Sequence, residues 1–294
     1  MKSTGIIIIG CGPAGMACAI QLKRMGLDPL VIEKDRPGGM LPNANLIENY
    51  PGFPGGIAGL LLARRMTEQF NSFRIKSITD EITGILYNDG IFHLHGRFED
   101  YNTPVLVIAS GTVPIIPEIP IEYVNEGLIH FDISRLRTVS GKTIGIIGAG
   151  DAAFDYSLSL AENENEVYIF NRGTGIKALK SLSDKVVINN HIKYQEKHPL
   201  NKLELVDNKA LIAIFNSTSG NSKYSLDYLI FAIGRIPGNA FFREGLEDKL
   251  PGLVKQHRLY LIGDLSNGNC RQVSVAVGDG VKAAMEIFRN ESNQ

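Results

Sequence analysis

The chain has 294 residues, 44% of them hydrophobic, with 30 lysines and arginines against 31 aspartates and glutamates. That length supports about two domains with cores of their own, and the balanced charge argues against a broad basic face for nucleic acid or an anionic bilayer. Three cysteines, Cys11, Cys18 and Cys270, fit neither a secreted disulfide framework nor a zinc site and point to a reducing, cytoplasmic setting.

The first element is the apolar run Ile6 to Ile9, too short to span a bilayer and leading into Gly10-x-Gly12-x-x-Gly15. It predicts a strand over 5–9, with a helix over 14–25 and a second strand over 29–32 that ends on Glu33 and Lys34. A strand, a glycine loop and a helix in that order bring backbone N–H groups and the positive helix end to a pyrophosphate. Gly10 makes the turn, Gly12 admits the phosphates, Pro13 and Ala14 complete the loop, and Gly15 allows close packing of helix and strand. Glu33 then stands where its carboxylate accepts both hydroxyls of an adenosine ribose.

A helix over 58–70 and a strand over 105–108 follow, and Pro114, Pro117 and Pro120 predict a stiff extended crossing between domains. Beyond it the opening pattern returns: IIIIGCGPAG and LVIEKD recur as IGIIGAGDAA and VYIFNRG, each equivalent position 138 residues further on, as Gly10 is to Gly148. The second loop reads Gly148-Ala149-Gly150-Asp151-Ala152-Ala153, between strands over 144–147 and 167–170. Asn171 takes the place of the acid, and Arg172 with Lys177 can neutralise a 2′-phosphate, which favours NADP over NAD. VLVIASGTVP is matched by YLIFAIGRIP, giving a strand over 229–232, and the chain ends in LYLIGD and a helix, a tail with no counterpart in the second unit. Crossovers of this kind impose parallel sheets with helices on both faces. The expected fold is α/β, with two Rossmann-like dinucleotide-binding domains of the three-layer ββα type, the second inserted into the first. The expected boundaries are 1–113 with 247–294 for one domain and 114–246 for the other.

GCGPAG, PGGMLPNANLIENYPGFPGGIAG, VIASGT, IIGAGDAA, FAIGRIPG and LYLIGDLSNGNCRQVSVAVGDG together resemble the low-molecular-weight thioredoxin reductases over nearly the whole chain. The resemblance implies FAD in the first domain and a pyridine nucleotide, NADPH or NADH with NADPH favoured, in the second. It puts Glu33 and Lys34 at the adenosine ribose, and Gly39, Met40 and Leu41 beside the flavin with Asn49. Ala109, Ser110 and Gly111 form a crossover turn, and Gly263 and Asp264 lie at the ribityl chain. Arg271, Gln272 and Val273 lie at the pyrimidine edge. In the second domain Gly148, Gly150, Asp151, Ala152, Ala153, Asn171, Arg172, Lys177, Ile233 and Gly234 fall on nucleotide-binding positions. A homodimer is the family's expectation.

The departure concerns the redox centre. The family carries C-x-x-C and an acid before the second glycine loop, and those positions are Phe131, Ser134 and Arg135 here. A dithiol that reduces a disulfide needs two sulfurs within reach and a proton donor. Cys11 and Cys18 read as core thiols, while Cys270 precedes the flavin-edge segment; His130 and Asp132 are an acid–base pair in principle. Three functions are consistent with this sequence. One is an FAD-dependent NAD(P)H oxidoreductase delivering electrons to a small molecule or redox protein. The second is a flavoprotein reduced by ferredoxin or a small substrate, with a vestigial nicotinamide domain. The third is a flavin-loaded partner or sensor subunit of low turnover. No metal, nucleic acid or membrane partner is expected.

Overall fold

The computed structural model describes residues 2–119, 123–124, 126–206, 210–217, 220–242 and 246–292. The chain divides into two compact units, 1–42 with 48–113 and 236–294, and 43–47 with 114–235. Pro120, assigned to the crossing, lies outside the described residues.

The first unit is organised on a parallel sheet in the order Leu259–Leu261, Val105–Ile108, Ile6–Ile9, Leu30–Glu33, Lys76–Thr79. Its three inner strands are continuous apolar runs because both faces are covered, which a helix-flanked parallel sheet requires. On one face the helices Pro13–Arg24 and Val273–Glu291 lie together, with Ala14, Cys18, Ala276, Ala283 and Ala284 buried at their contact. Gly280 makes that closeness possible, since a Cβ there would overlap the carbonyl oxygen of Ala14. An antiparallel meander, Ile82–Asn88, Ile91–Gly96 and Asp100–Thr103, supplies Ile85, Phe92 and Tyr101 to the core on the other face. At its base the buried Asp80 accepts from Tyr101 Oη at 2.8 Å and from the backbone N–H groups of Glu81, Phe98 and Glu99.

The second unit repeats the plan, with a parallel sheet in the order Ile129–His130, Tyr228–Phe231, Thr143–Ile147, Glu166–Phe170, Ile192–Gln195. The helix Asp151–Ala161 covers one face through Ala153, Phe154 and Leu160. The meander Leu200–Val206, Ala210–Ser217, Gly220–Leu226 covers the other, where Phe170 stacks on Phe215 at 3.9 Å between centroids.

Two expectations change. The strand Leu259–Leu261 does have a counterpart in the second unit: Ile129–His130 occupies the same edge, but arrives from the amino-terminal side of the unit. The chain also rejoins the first unit at Ile236, ahead of the expected 246/247 boundary. The segment after 236 is held there because Phe241 O accepts Ile85 N at 3.0 Å and Leu246 is buried in that core.

Candidate functional site

The first glycine loop is built from three segments that only glycines let meet. Gly10, at φ 99°, donates to Ile32 O at 2.8 Å, and a Cβ on it would overlap the carbonyl of Ala109. A Cβ on Gly15 would overlap the carbonyl oxygen of Gly10, so helix and strand stand as close as backbone allows. Pro13 begins the helix, where its missing N–H costs nothing. Beyond the loop, Gly38 and Gly39 have φ of 115° and 56°, and a Cβ on Gly39 would stand 3.2 Å from Gly12 Cα. Leu41, anchored through its N–H to Gly38 O, is buried beneath this turn, and Met40 is half-buried beside it.

Glu33 closes the cradle. Its Oε2 accepts Cys11 N at 2.6 Å and its Oε1 accepts Asp35 N at 3.0 Å. The carboxylate is thereby fixed at the loop with lone pairs to spare for a ribose diol. Lys34 is exposed beside it. On the other flank Asn49 Nδ2 donates to Gln272 Oε1 at 2.7 Å, so two residues 223 positions apart in sequence meet. Arg271 and Val273 flank Gln272, the latter opening the long helix, and the buried Arg271 Nε has no acceptor among the described residues. Ser110 Oγ donates to Gly238 O at 2.7 Å, Gly111 has φ 66°, and Gly263 and Asp264 form a 3₁₀ turn. Sequence reasoning missed Asp279, whose carboxylate accepts Gly263 N at 3.1 Å and Asn267 Nδ2; its only signal was the VGDG pattern.

The second loop keeps the turn and changes its surroundings. Gly148, at φ 146°, donates to Phe170 O at 3.0 Å, and a Cβ on it would overlap the carbonyl of Ala232. Gly150 is open, Ala152 exposed and Ala153 fully buried. Asp151 Oδ1 accepts Leu179 N at 2.8 Å, which ties the first helical turn to the loop at 172–179. Asn171 is buried and turned into that same loop: Nδ2 donates to Gly175 O and Tyr194 Oη, and Oδ1 accepts Gly173 N. Arg172 and Lys177 are exposed, the latter bonded through its N–H to Ala149 O at 3.0 Å. Ile233 is exposed, and Gly234, at φ 126°, accepts Ile115 N at 3.0 Å.

At 130–136 the structure does not bring an acid–base pair together. His130 Nε2 lies 2.9 Å from Gly127 O, with its imidazole pKa lowered chiefly by burial, and Asp132 Oδ1 accepts Ser134 N at 2.8 Å. No hydrogen bond joins them among the described residues. Phe131 packs toward Phe231, while Ile133 and Leu136 are buried in the core of the second unit. The segment is fastened by apolar packing. Cys11 and Cys18 are buried and their thiols are pushed up to about 12 by that burial, Glu33 adding to the effect at Cys11, so neither forms a thiolate near neutrality. Cys270 is exposed and free. No metal-binding cluster and no helix able to cross a membrane occur among the described residues.

The profile of the family described as "Pyridine nucleotide-disulphide oxidoreductase" matches residues 4–280. The thioredoxin reductase of Escherichia coli O157:H7 is 28% identical over 316 aligned positions, covering 98% of this chain and 96% of that protein. The Lactococcus lactis thioredoxin reductase structure in its FR conformation superposes with a TM-score of 0.85 at 23% identity, covering 99% of both chains. That of T. acidophilum gives 0.85 at 22% identity, covering 99% of this chain and 100% of the other.

Proposed function

The chain belongs to the pyridine nucleotide-disulphide oxidoreductase family as a thioredoxin reductase-like oxidoreductase without the paired cysteines, and from that premise we propose that it is an FAD-dependent NAD(P)H oxidoreductase whose electrons leave to an acceptor other than a disulfide of its own. The carrying observation is the contrast between the preserved first cradle and the refilled segment at 130–136. In the first unit the close backbone approach allowed by Gly10, Gly12 and Gly15 and a Glu33 carboxylate fixed at the loop fit FAD. When bound, FAD accepts a hydride from NAD(P)H and returns two electrons to an oxidant.

The chain's own residues account for binding and orientation. The N–H groups after Gly10 and the start of the helix Pro13–Arg24 receive the pyrophosphate, and Glu33 receives the adenosine ribose. Asn49, Gln272 and Arg271 present amide and guanidinium donors at the edge of the ring, where hydrogen bonds set its potential. In the second unit the loop from Gly148, with Arg172 and Lys177, receives the nicotinamide nucleotide, NADPH before NADH. Phe131 and Ser134 would offer no thiol to relay electrons, so the acceptor in this reading is a small molecule or a redox protein and not a disulfide of the chain.

The test is an anaerobic absorbance titration of the yellow holoprotein with NADPH and then NADH. Bleaching of the flavin band at stoichiometric nucleotide is the expected result. A band that persists with both donors but bleaches with reduced ferredoxin would overturn this reading in favour of a vestigial second unit.

A further inference from the structure

At the carboxyl end of the second unit's sheet, two loops are stitched together by backbone hydrogen bonds. Asn171 N donates to Gln195 O at 2.8 Å, Lys197 N to Gly173 O at 2.9 Å, and His198 N to Asn171 O at 2.8 Å. The side chains complete the stitch, with Glu196 Oε1 accepting Gly175 N at 2.8 Å and Tyr194 Oη receiving the Asn171 amide. Position 197 is therefore fixed against position 173, immediately after Arg172.

The charges on this surface are unequal. Arg172, Lys177 and Lys197 are exposed, and none of the three side chains has a hydrogen-bond or ion-pair partner among the described residues. Lys180 is drawn away by Asp184 at 2.7 Å. The nearby carboxylates are committed to the backbone, Glu196 to Gly175 and Asp151 to Leu179. No acid ends the second strand, so the carboxylate that would repel a 2′-phosphate is missing there. Lys197 also has φ 54°, a left-handed conformation that costs a non-glycine residue about 1 kcal/mol and recurs at ligand sites.

We propose that Lys197 is a specificity-determining residue of the nicotinamide site, a third cation that joins Arg172 and Lys177 around the 2′-phosphate and makes the second unit select NADPH over NADH. It is contributed by the loop after a neighbouring strand, outside the glycine-loop motif. The side of Gly173 is open, since a Cβ there would meet only Asn171 Oδ1 at 3.9 Å, so the backbone beside Arg172 does not crowd a bound phosphate. This rests on the nicotinamide reading of the second unit.

The experiment is calorimetric binding of 2′,5′-ADP and 5′-AMP, which differ only in the 2′-phosphate, to the FAD-loaded full chain. Lys197→Gly removes the cation while accepting the left-handed backbone without penalty, and Lys197→Arg keeps the charge. The expected result is about tenfold weaker 2′,5′-ADP binding for Lys197→Gly, with 5′-AMP unchanged and Lys197→Arg close to the parent protein. Equal loss for both nucleotides, no loss for either, or no binding of 2′,5′-ADP to the parent protein would overturn the proposal. If 2′,5′-ADP binds as expected but NADPH fails to bleach the flavin, the assignment of Lys197 stands and only the electron-donor reading falls.

Discussion

The two units carry the same sheet order and the same glycine turn, yet they differ at the end of the second strand. In the first, the Glu33 carboxylate points back at the loop and holds Cys11 N and Asp35 N. In the second, the Asn171 amide is bonded to Gly173, Gly175 and Tyr194. An amide offers both donors and an acceptor, so it can stabilise an irregular loop by itself; a carboxylate can only receive. One exchange thus replaces a carboxylate bonded to the glycine loop with an amide that braces the loop carrying Arg172 and Lys177.

The strongest way to break this comparison is at the packing glycine. Gly15→Val puts a branched side chain on the carbonyl of Gly10, so we expect a loss of more than about 4 kcal/mol and near-complete loss of retained flavin, read by absorbance and thermal unfolding. The equivalent Ala153 already carries a Cβ, and Ala153→Gly should cost only about 1 kcal/mol.

The units diverge next in a carboxyl group each, buried at Asp80 and half-buried at Asp155. At Asp80 burial raises the pKa, but hydrogen bonds from Tyr101, Glu99, Phe98 and Glu81 outweigh it and hold the group below the usual carboxylate range. Its contribution to stability is full above about pH 4 and is lost as pH falls further. Asp80→Ala should cost about 3 kcal/mol at pH 7 by denaturant unfolding. Asp155, whose pKa is pushed up to about 6 by burial despite hydrogen bonds from Asn45 and Leu46 N–H, has the opposite sign. Its contribution is full below about pH 4 and is lost as pH rises toward 6. Asp155→Asn should therefore gain on the order of 1–2 kcal/mol at pH 7 and flatten the stability profile between pH 4 and 7. A profile that keeps its slope in the variant would contradict that assignment.

The mildest test is chemical. With Cys11 and Cys18 held as buried thiols, a thiol reagent should label only Cys270 in the native protein at pH 8, and Cys270→Ser should leave flavin reduction within about twofold of the parent. Rapid labelling of a second cysteine would show that the first loop opens.

The inner strands and both glycine turns were legible because fully buried parallel strands are unbroken apolar runs and because the pattern occurs twice. The meanders were not, since strands such as Asp100–Thr103 and Gly220–Leu226 are half polar and show no apolar run. Ile129–His130 is two residues long, too short for any periodicity, and its place is set by pairing with Tyr228–Phe231. The place of Glu33 at the strand end beside the first loop was readable from its spacing. Neither the inward turn of Asn171 nor the reach of Asp279 to Gly263 was, because both depend on backbone groups brought close only by the fold.

The two edge strands, Leu259–Leu261 and Ile129–His130, fill one position from opposite directions of the chain. During synthesis the second unit has all five strands of its parallel sheet once Phe231 has left the ribosome. The first unit's strand Val105–Ile108 emerges earlier but waits for Leu259–Leu261 before that edge is paired. At ordinary translation rates the delay is roughly 10–30 s for about 150 residues. The nascent first unit therefore exposes an apolar sheet edge for longer than its sibling.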